Sequence, residues 1–202
     1  AIDHYAQLVK RQHIADLTEE ELKRMKREKL AGLVDETALE MAAKAEIRIG
    51  TCYARLGRFE DGVATYTRVI ELFSTEARLV EEAYLQMAEL YQRQGDDDAA
   101  ERTYRRAIDQ SSDRILKARI QYKLAERLVE QAQFAKAVRE YRIYLRGYGD
   151  VAQMAGFPES RVRSRIGSAY HKLAERTIEE SGPGSAGDDL LVRAIAQYDT
   201  LT

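Results

Sequence analysis

The sequence contains few of the residues that interrupt helices, cross-link chains or indicate one chemical class of partner. Among its 202 residues there are two prolines, one cysteine and no tryptophan. A single cysteine excludes an internal disulfide framework, and the scarcity of proline leaves room for long helices. Acidic and basic residues nearly balance, with a net charge of −2, so no basic field indicates nucleic acid. No run of about 18 apolar residues predicts a membrane span.

Motifs for catalysis or metal binding are also absent from the sequence. The three histidines, His4, His13 and His171, show no paired metal-ligand spacing, and no nucleotide-binding or hydrolase signature occurs. Cys52 has no histidine or acid at a nucleophile-like spacing and is interpreted as a small buried apolar residue. The acidic run at 96–98 lacks the alternating ligands of a calcium loop and is interpreted as a helix start. We therefore expect no enzyme activity, no cofactor and no metal site.

One stretch, residues 81–112, organises the rest of the pattern. It predicts two short amphipathic helices around Gly95, because apolar residues recur at helical spacing on both sides of that glycine. Five positions define its register: a small residue, an aromatic residue or leucine, a turn residue, another small residue and another aromatic residue. This register occurs three times. The copies are Gly50, Tyr53, Gly57, Gly62, Tyr66, then Ala88, Tyr91, Gly95, Ala100, Tyr104, and then Ala125, Leu128, Ala132, Ala137, Tyr141. A hairpin of this size cannot bury its apolar face alone, so the copies are expected to stack.

This register resembles the tetratricopeptide repeat family, whose unit is about 34 residues long. The copies here are 38 and 37 residues apart (88 − 50 and 125 − 88), and they lack the family's tryptophan and the proline that closes its second helix. The resemblance implies an all-α fold, a right-handed α-solenoid of antiparallel helix pairs. Because the sequence begins and ends beside second-helix motifs, we expect it to be a fragment of a longer repeat protein.

A single array is predicted over residues 1–202, and its parts follow the register. Residues 1–12 are expected to form the second helix of a preceding repeat. Residues 13–34 are expected to be an inserted helix, opened by a capping-box pattern at Thr18 and Glu21. Four repeats are placed at 35–74, 79–112, 115–148 and 158–202. A glycine-rich loop at 181–187 is expected to separate the two helices of the fourth repeat.

The resemblance also implies a concave groove lined by the first helix of each repeat. Leu85 and Tyr122 are expected to anchor apolar groups of a partner, while Glu89 and Glu126 disfavour the acidic chaperone tails that some family members bind. A mixed-charge partner segment is therefore predicted, although the same charges are equally typical of a solvated helix surface. The residues that we single out as partner-binding are Arg48, Thr51, Leu85, Glu89, Tyr122, Glu126, Arg165 and His171.

The leading hypothesis is a non-catalytic scaffold or adaptor that binds a partner peptide or subunit along the groove. The long repeat spacing resembles that of bacterial cell-envelope assembly proteins and favours a periplasmic or membrane-complex setting over a cytoplasmic one. A second hypothesis is a structural module that self-associates through apolar repeat ends, which hold Ile2 and Leu201. Nucleic-acid binding is disfavoured, because the mid-groove glutamates would repel phosphate; its candidate residues are Arg161, Arg163, Arg165, Lys172 and Arg176.

Overall fold

The computed structural model describes residues 36–74 and 76–201, and over these ranges the chain is helical without a strand. The predicted all-α array of helix pairs is confirmed. None of these helices is long and apolar enough to cross a membrane. The predictions for residues 1–12 and 13–34 lie outside the described ranges. The helices are α1 Glu36–Arg55, α2 Phe59–Leu72, α3 Ala77–Arg93, α4 Asp97–Gln110, α5 Arg114–Glu130, α6 Phe134–Tyr148, α7 Glu159–Ser181 and α8 Ser185–Asp199, with a 3₁₀ turn at Gly149–Val151.

The chain divides into two compact units, and the boundary between Arg105 and Arg106 falls within α4. In the first unit, α2 packs against α1, and α3 packs against both of them. In the second unit, α6 packs against α5, α7 against α6 and α8 against α7. We refer to the odd-numbered helices as first helices and to the even-numbered ones as second helices. Each unit is therefore built from consecutive helix hairpins, as the periodicity of the sequence predicts.

The turns that join first to second helices depend on one residue with a left-handed backbone. Gly57 (φ 72°) and Gly95 (φ 79°) hold this position after α1 and α3, and Ala132 (φ 56°) holds it after α5. The register of the sequence predicts a turn at all three. Glycine adopts this conformation without strain, whereas an L-residue such as alanine pays about 1–2 kcal/mol for it. The third turn therefore keeps the geometry of the first two at an energetic cost.

Two aspartates cap helix starts, and one of them lies in the acidic run at 96–98. The Asp96 side chain accepts a hydrogen bond from the Ala99 backbone N–H at 2.8 Å, beside the start of α4. Asp113 caps α5 by accepting from the N–H groups of Ile115 at 2.7 Å and Leu116 at 3.1 Å. Aspartate at such a position satisfies amides that have no partner within the helix. The interpretation of the acidic run as a helix start is confirmed.

In two helix pairs a glycine of the first helix lies against a tyrosine of the second, and both contacts require glycine. A Cβ atom added to Gly50 would lie 2.6 Å from Cε1 of Tyr66, and one added to Gly167 would lie 2.8 Å from Cε1 of Tyr198. Normal carbon contacts are about 3.5–4.0 Å. Both tyrosine rings therefore rest directly on the backbone of the first helix. The equivalence of Gly167 and Gly50 places the α7–α8 pair in the same register as α1–α2.

Two connections contain more ordered structure than a flexible loop. The connection after α6 begins only beyond Tyr148, where that helix ends, and it folds into tight turns that bury Val151, Ala152 and Ala155. The loop predicted at 181–187 spans only 182–184, because α8 already begins at Ser185. A Cβ atom added to Gly187 would lie 2.6 Å from Cγ1 of Ile178. The glycine-rich composition there serves close helix packing as well as the turn.

Candidate partner-binding faces

The first helices of each unit share one exposed side, since their other sides pack on second helices and on neighbouring first helices. In the first unit this side carries Arg48 and Thr51 from α1 and Gln86 and Glu89 from α3, which are exposed or half-buried. We call it the first-helix face of unit 1. In the second unit the corresponding side, the first-helix face of unit 2, carries Lys123, Glu126, Arg165 and His171, also exposed or half-buried.

A small cleft opens on the first-helix face of unit 1, between α1 and α3. Its volume of about 10 Å³ admits roughly one water molecule. The hydroxyl of Thr51 donates to the Ile47 carbonyl at 3.0 Å and lies 3.3 Å from the hydroxyl of Tyr66, a residue of α2. Burial raises the pKa of Tyr66 above its ordinary value, although the hydrogen bond with Thr51 opposes the shift. The lining residues are Thr51, Ala54, Tyr66, Gln86, Glu89, Leu90 and Arg93.

A salt bridge fixes the charge beside this cleft. Arg93 donates to Glu89 through a 2.8 Å hydrogen bond between Nη2 and Oε1. The two residues are four apart on α3, the spacing at which opposite charges meet on a helix. The Glu89 carboxylate is therefore neutralised in part by its own helix. Arg48 is exposed on the neighbouring helix, so the face as a whole carries charges of both signs.

The first-helix face of unit 2 places a tyrosine hydroxyl at the equivalent point. Tyr141 of α6 donates a short hydrogen bond to Glu126 Oε1, and the same oxygen lies 3.3 Å from Nε of Arg165 on α7. Burial, together with the hydrogen bond and negative charge of Glu126, raises the pKa of Tyr141 well above its ordinary value. The Glu126 carboxylate thus has two partners, one neutral and one cationic, and is held in place between α5 and α7.

Thr51 and Glu126 occupy the same position relative to their tyrosines, since each precedes its tyrosine by 15 residues. In both units the tyrosine ring is buried against the first helix, and its hydroxyl reaches the exposed side of the unit. The repeat therefore delivers a fixed polar group to the first-helix face. The two units differ in the group that shares a hydrogen bond with the tyrosine hydroxyl, which is the hydroxyl of Thr51 in unit 1 and the carboxylate of Glu126 in unit 2.

Residues 40–111, which extend from α1 to the end of α4, match the family model for the tetratricopeptide repeat. This part of the chain consists of tetratricopeptide repeats. In general these repeats mediate protein–protein interactions and are not catalytic. The second unit lies beyond the matched residues, but its helix hairpins and its contact between Gly167 and Tyr198 follow the same register. The search of curated proteins found no match to the chain.

Tyr122, which the register places in the groove of the third predicted repeat, is instead a core residue. Its side chain is 2% exposed, and its ring stacks on Phe157 with the centroids 3.8 Å apart. Ile47 has the equivalent position in the first repeat and is 1% exposed. Both residues lie on the flank of the first helix that packs inside the unit. Tyr122 therefore cannot serve as an exposed apolar anchor, and Leu85, the other predicted anchor, is half-buried.

Phe157 is the residue that the sequence interpretation missed. It precedes Pro158 and the start of α7, and its carbonyl accepts a hydrogen bond from the Tyr144 hydroxyl at 2.8 Å. The guanidinium of Arg161 lies 5.5 Å from the Phe157 ring centroid, within the range of a cation–π interaction. An aromatic residue in a glycine-containing connector was a signal for this contact, because an exposed phenylalanine in a loop would be unfavourable.

The remaining predicted residues lie on the surface as the register indicates. His171 is exposed, with Nε2 at 3.3 Å from Oε1 of Glu175 one helical turn away. Arg165 is half-exposed and contacts Glu126, so the structure brings these two together. Arg48 makes no ion pair with another described residue. In the described part of the chain, no group of three or more potential ligands could hold a metal ion, and Cys52 is half-buried.

Proposed function

We propose that the chain is a scaffold whose two units each bind a segment of a protein partner on their first-helix face. The observation that carries the proposal is the fixed polar group in each face, the Tyr66 hydroxyl beside Thr51 and the Tyr141 hydroxyl on Glu126. A polar group held by a buried ring offers a hydrogen-bonding position that needs little ordering when a partner binds. Tetratricopeptide repeats in general support the choice of a protein as the partner.

The charges on these faces favour a partner segment that is polar and carries both signs. Glu89 is paired with Arg93, and Glu126 is paired with Arg165, so neither carboxylate presents an isolated negative charge. Arg48 and Lys123 are exposed cations beside these pairs. With Tyr122 in the core, hydrogen bonds and charge complementarity rather than a large apolar anchor would determine the specificity. The proposal retains a cell-envelope complex as the setting, on the basis of the 37- and 38-residue repeat spacing.

Site-specific photo-crosslinking tests which surface the partner contacts. A photoreactive amino acid would replace Arg48 or Lys123, one on each first-helix face, in the chain expressed in its source cells. Matched positions on exposed sides of second helices, Arg102 and Arg193, serve as controls. We expect one protein to be cross-linked from positions 48 and 123 and not from 102 and 193. Cross-links that form only from the second helices would contradict the proposal.

A second candidate function, self-association, is favoured by the exposed apolar side of α8. Val192 is 64% exposed, Ile195 57% and Tyr198 40%, and Leu201, just beyond the end of the helix, is 38% exposed. Tyr66 has the position of Tyr198 in the first unit and is only 1% exposed, since α3 packs on α2 there. Apolar surface of this kind is typical of a contact with a further helix. The candidate is a structural module whose repeat ends join copies of the chain.

The oligomeric state decides this alternative. Sedimentation over a hundredfold range of concentration would compare the chain with an Ile195→Asp variant, since an aspartate at an exposed position leaves the core intact. A concentration-dependent oligomer that the substitution abolishes supports self-association. A monomer over the whole range, or an oligomer that the variant retains, would exclude the α8 surface as the contact.

A further inference from the structure

The outer side of α6 carries a cluster of cations unlike that of any other second helix among the described residues. The helix Phe134–Tyr148 contains four basic residues and one acidic residue. By contrast, α2, α4 and α8 each contain more acidic than basic residues. The one acid of α6, Glu140, is 5% exposed and accepts a 2.7 Å hydrogen bond from Gln121. The exposed charge of this helix is therefore entirely positive.

The cations share one side of the helix. Lys136, Arg139, Arg142 and Arg146 are all exposed, and Ile143, 40% exposed, lies among them. At about 100° per residue these five positions fall within roughly 120° of the helix circumference, and at 1.5 Å per residue they extend over about 15 Å. We call this set the α6 outer face. None of its four cations forms an ion pair with another described residue.

Such a concentration of like charge opposes folding, because cations three or four residues apart on a helix repel each other. The spacings from Lys136 to Arg139, Arg139 to Arg142 and Arg142 to Arg146 are all of this kind. The helix C-terminus offsets the repulsion only near Arg146, since the dipole acts within the last turn. Arg142 is also held in place, because its guanidinium lies 5.7 Å from the ring centroid of the buried Tyr170 on α7. The face is thus charged, partly ordered and without a counter-charge from the residues that the structure describes.

We propose that the α6 outer face is a second docking surface, which binds an acidic amphipathic segment of a protein partner. Complementary charge identifies the sign of the partner, and arginines in particular are enriched at protein interfaces. Ile143 indicates that the partner is a protein segment, because an apolar side chain surrounded by cations matches a segment that presents an apolar residue between carboxylates. This surface lies on a second helix, so the inference is independent of the first-helix faces.

Two other anionic partners fit the face less well. Nucleic acid would contact the cations through phosphate but would leave Ile143 without a role, and the chain as a whole has a net charge of −2. An anionic membrane would require several large apolar side chains beside the cations, and the α6 outer face offers one. The test therefore also measures the binding of nucleic acid and of anionic vesicles.

The test measures binding of a synthetic helical peptide with glutamates at three- and four-residue intervals around one central leucine. We expect the chain to bind it, with an affinity that falls as salt is added. The double variant Arg139→Glu, Arg146→Glu should bind it at least about tenfold more weakly. Arg102→Glu with Arg193→Glu, which changes the net charge equally at other exposed positions, should bind as the unchanged chain does. Circular dichroism of each variant confirms that it is folded.

Ile143→Ser separates a protein partner from other polyanions. This variant should weaken peptide binding several-fold and leave any binding of single-stranded DNA or of phosphatidylserine vesicles unchanged. The proposal is wrong if the peptide binds the double variant as well as it binds the unchanged chain. It is also wrong if DNA or vesicles bind the α6 outer face more tightly than the peptide and are insensitive to Ile143→Ser.

Discussion

Replacing Gly50 by alanine tests the contact on which the α1–α2 hairpin closes. In an ordinary helix interior this change stabilises a protein by about 0.5–1 kcal/mol, because alanine has less backbone freedom to lose. Here the new Cβ would lie 2.6 Å from Cε1, 2.9 Å from Cζ and 3.1 Å from Cδ1 of Tyr66. Restoring a normal contact of about 3.5–4.0 Å requires the ring or the helix to move by about 1 Å.

Tyr66 has little room for that movement. Its side chain is 1% exposed, and its hydroxyl lies 3.3 Å from Thr51. Overpacking of a core typically costs about 1–3 kcal/mol. The equivalent positions of the sequence register, Ala88 and Ala125, carry alanine, so a hairpin of this register can accommodate a methyl group at a slightly larger separation. We therefore expect a net destabilisation of about 1–2 kcal/mol, near the lower end of the range for overpacking.

Gly147→Ala provides the matched control. Gly147 lies in α6 and has no atom within 4 Å of an added Cβ, so only the helix propensity changes there, and the protein should gain up to about 0.5–1 kcal/mol. Urea unfolding followed by circular dichroism and tyrosine fluorescence would compare both variants with the unchanged chain. Hydrogen exchange in α1 and α2 would locate the effect, since repeat proteins need not unfold in one step. A gain in stability for Gly50→Ala equal to that for Gly147→Ala would refute the reasoning.

Three further substitutions probe the polar and strained positions. Tyr141→Phe removes the hydrogen bond to the charged Glu126 and should cost about 1.5–3 kcal/mol in urea unfolding, more than Tyr66→Phe; equal costs would contradict the difference between the two units. Burial raises the pKa of Glu46, 2% exposed, above its ordinary 4.5. Folding therefore favours the protonated form, and stability should fall as the pH rises from about 4.5 through the folded pKa. Glu46→Gln should flatten this dependence of stability on pH. If the free energies of unfolding of the variant and of the unchanged chain differ by the same amount across that pH range, the reasoning is refuted. Ala132→Gly relieves a left-handed φ of 56° and should raise the thermal midpoint, corresponding to about 0.5–1 kcal/mol; a lower midpoint would show that the turn is unstrained.

The regular parts of the fold could be predicted from the sequence because they depend on local spacing. The turn residues Gly57, Gly95 and Ala132 share a left-handed backbone that follows from their place between two helical patterns. The match of Gly167 to Gly50 depends on the same spacing and survives the different loop in the fourth repeat. A small residue opposite a large one can be recognised in the sequence, because the same pair of residues recurs in each hairpin.

Prediction from local spacing fails at Tyr122. The register distinguishes the first helix from the second, but it does not determine which exposed flank a neighbouring segment will cover. That depends on Phe157, which lies 35 residues later in a connector without periodicity and stacks on Tyr122. The partners of Glu126 have the same origin: Arg165 belongs to another helix, and its approach depends on the packing of α7. Contacts between distant elements of this kind require the three-dimensional structure.

The central claim is that a partner binds the first-helix faces, and calorimetry with the cross-linked partner tests it most directly. The variant Arg48→Glu with Lys123→Glu reverses one exposed cation on each face, while Arg102→Glu with Arg193→Glu makes the same change in charge on second helices. We predict that the first pair weakens the affinity by about tenfold or more and that the second pair leaves it unchanged. Equal affinities for both variants, or a loss confined to the second pair, would contradict the claim.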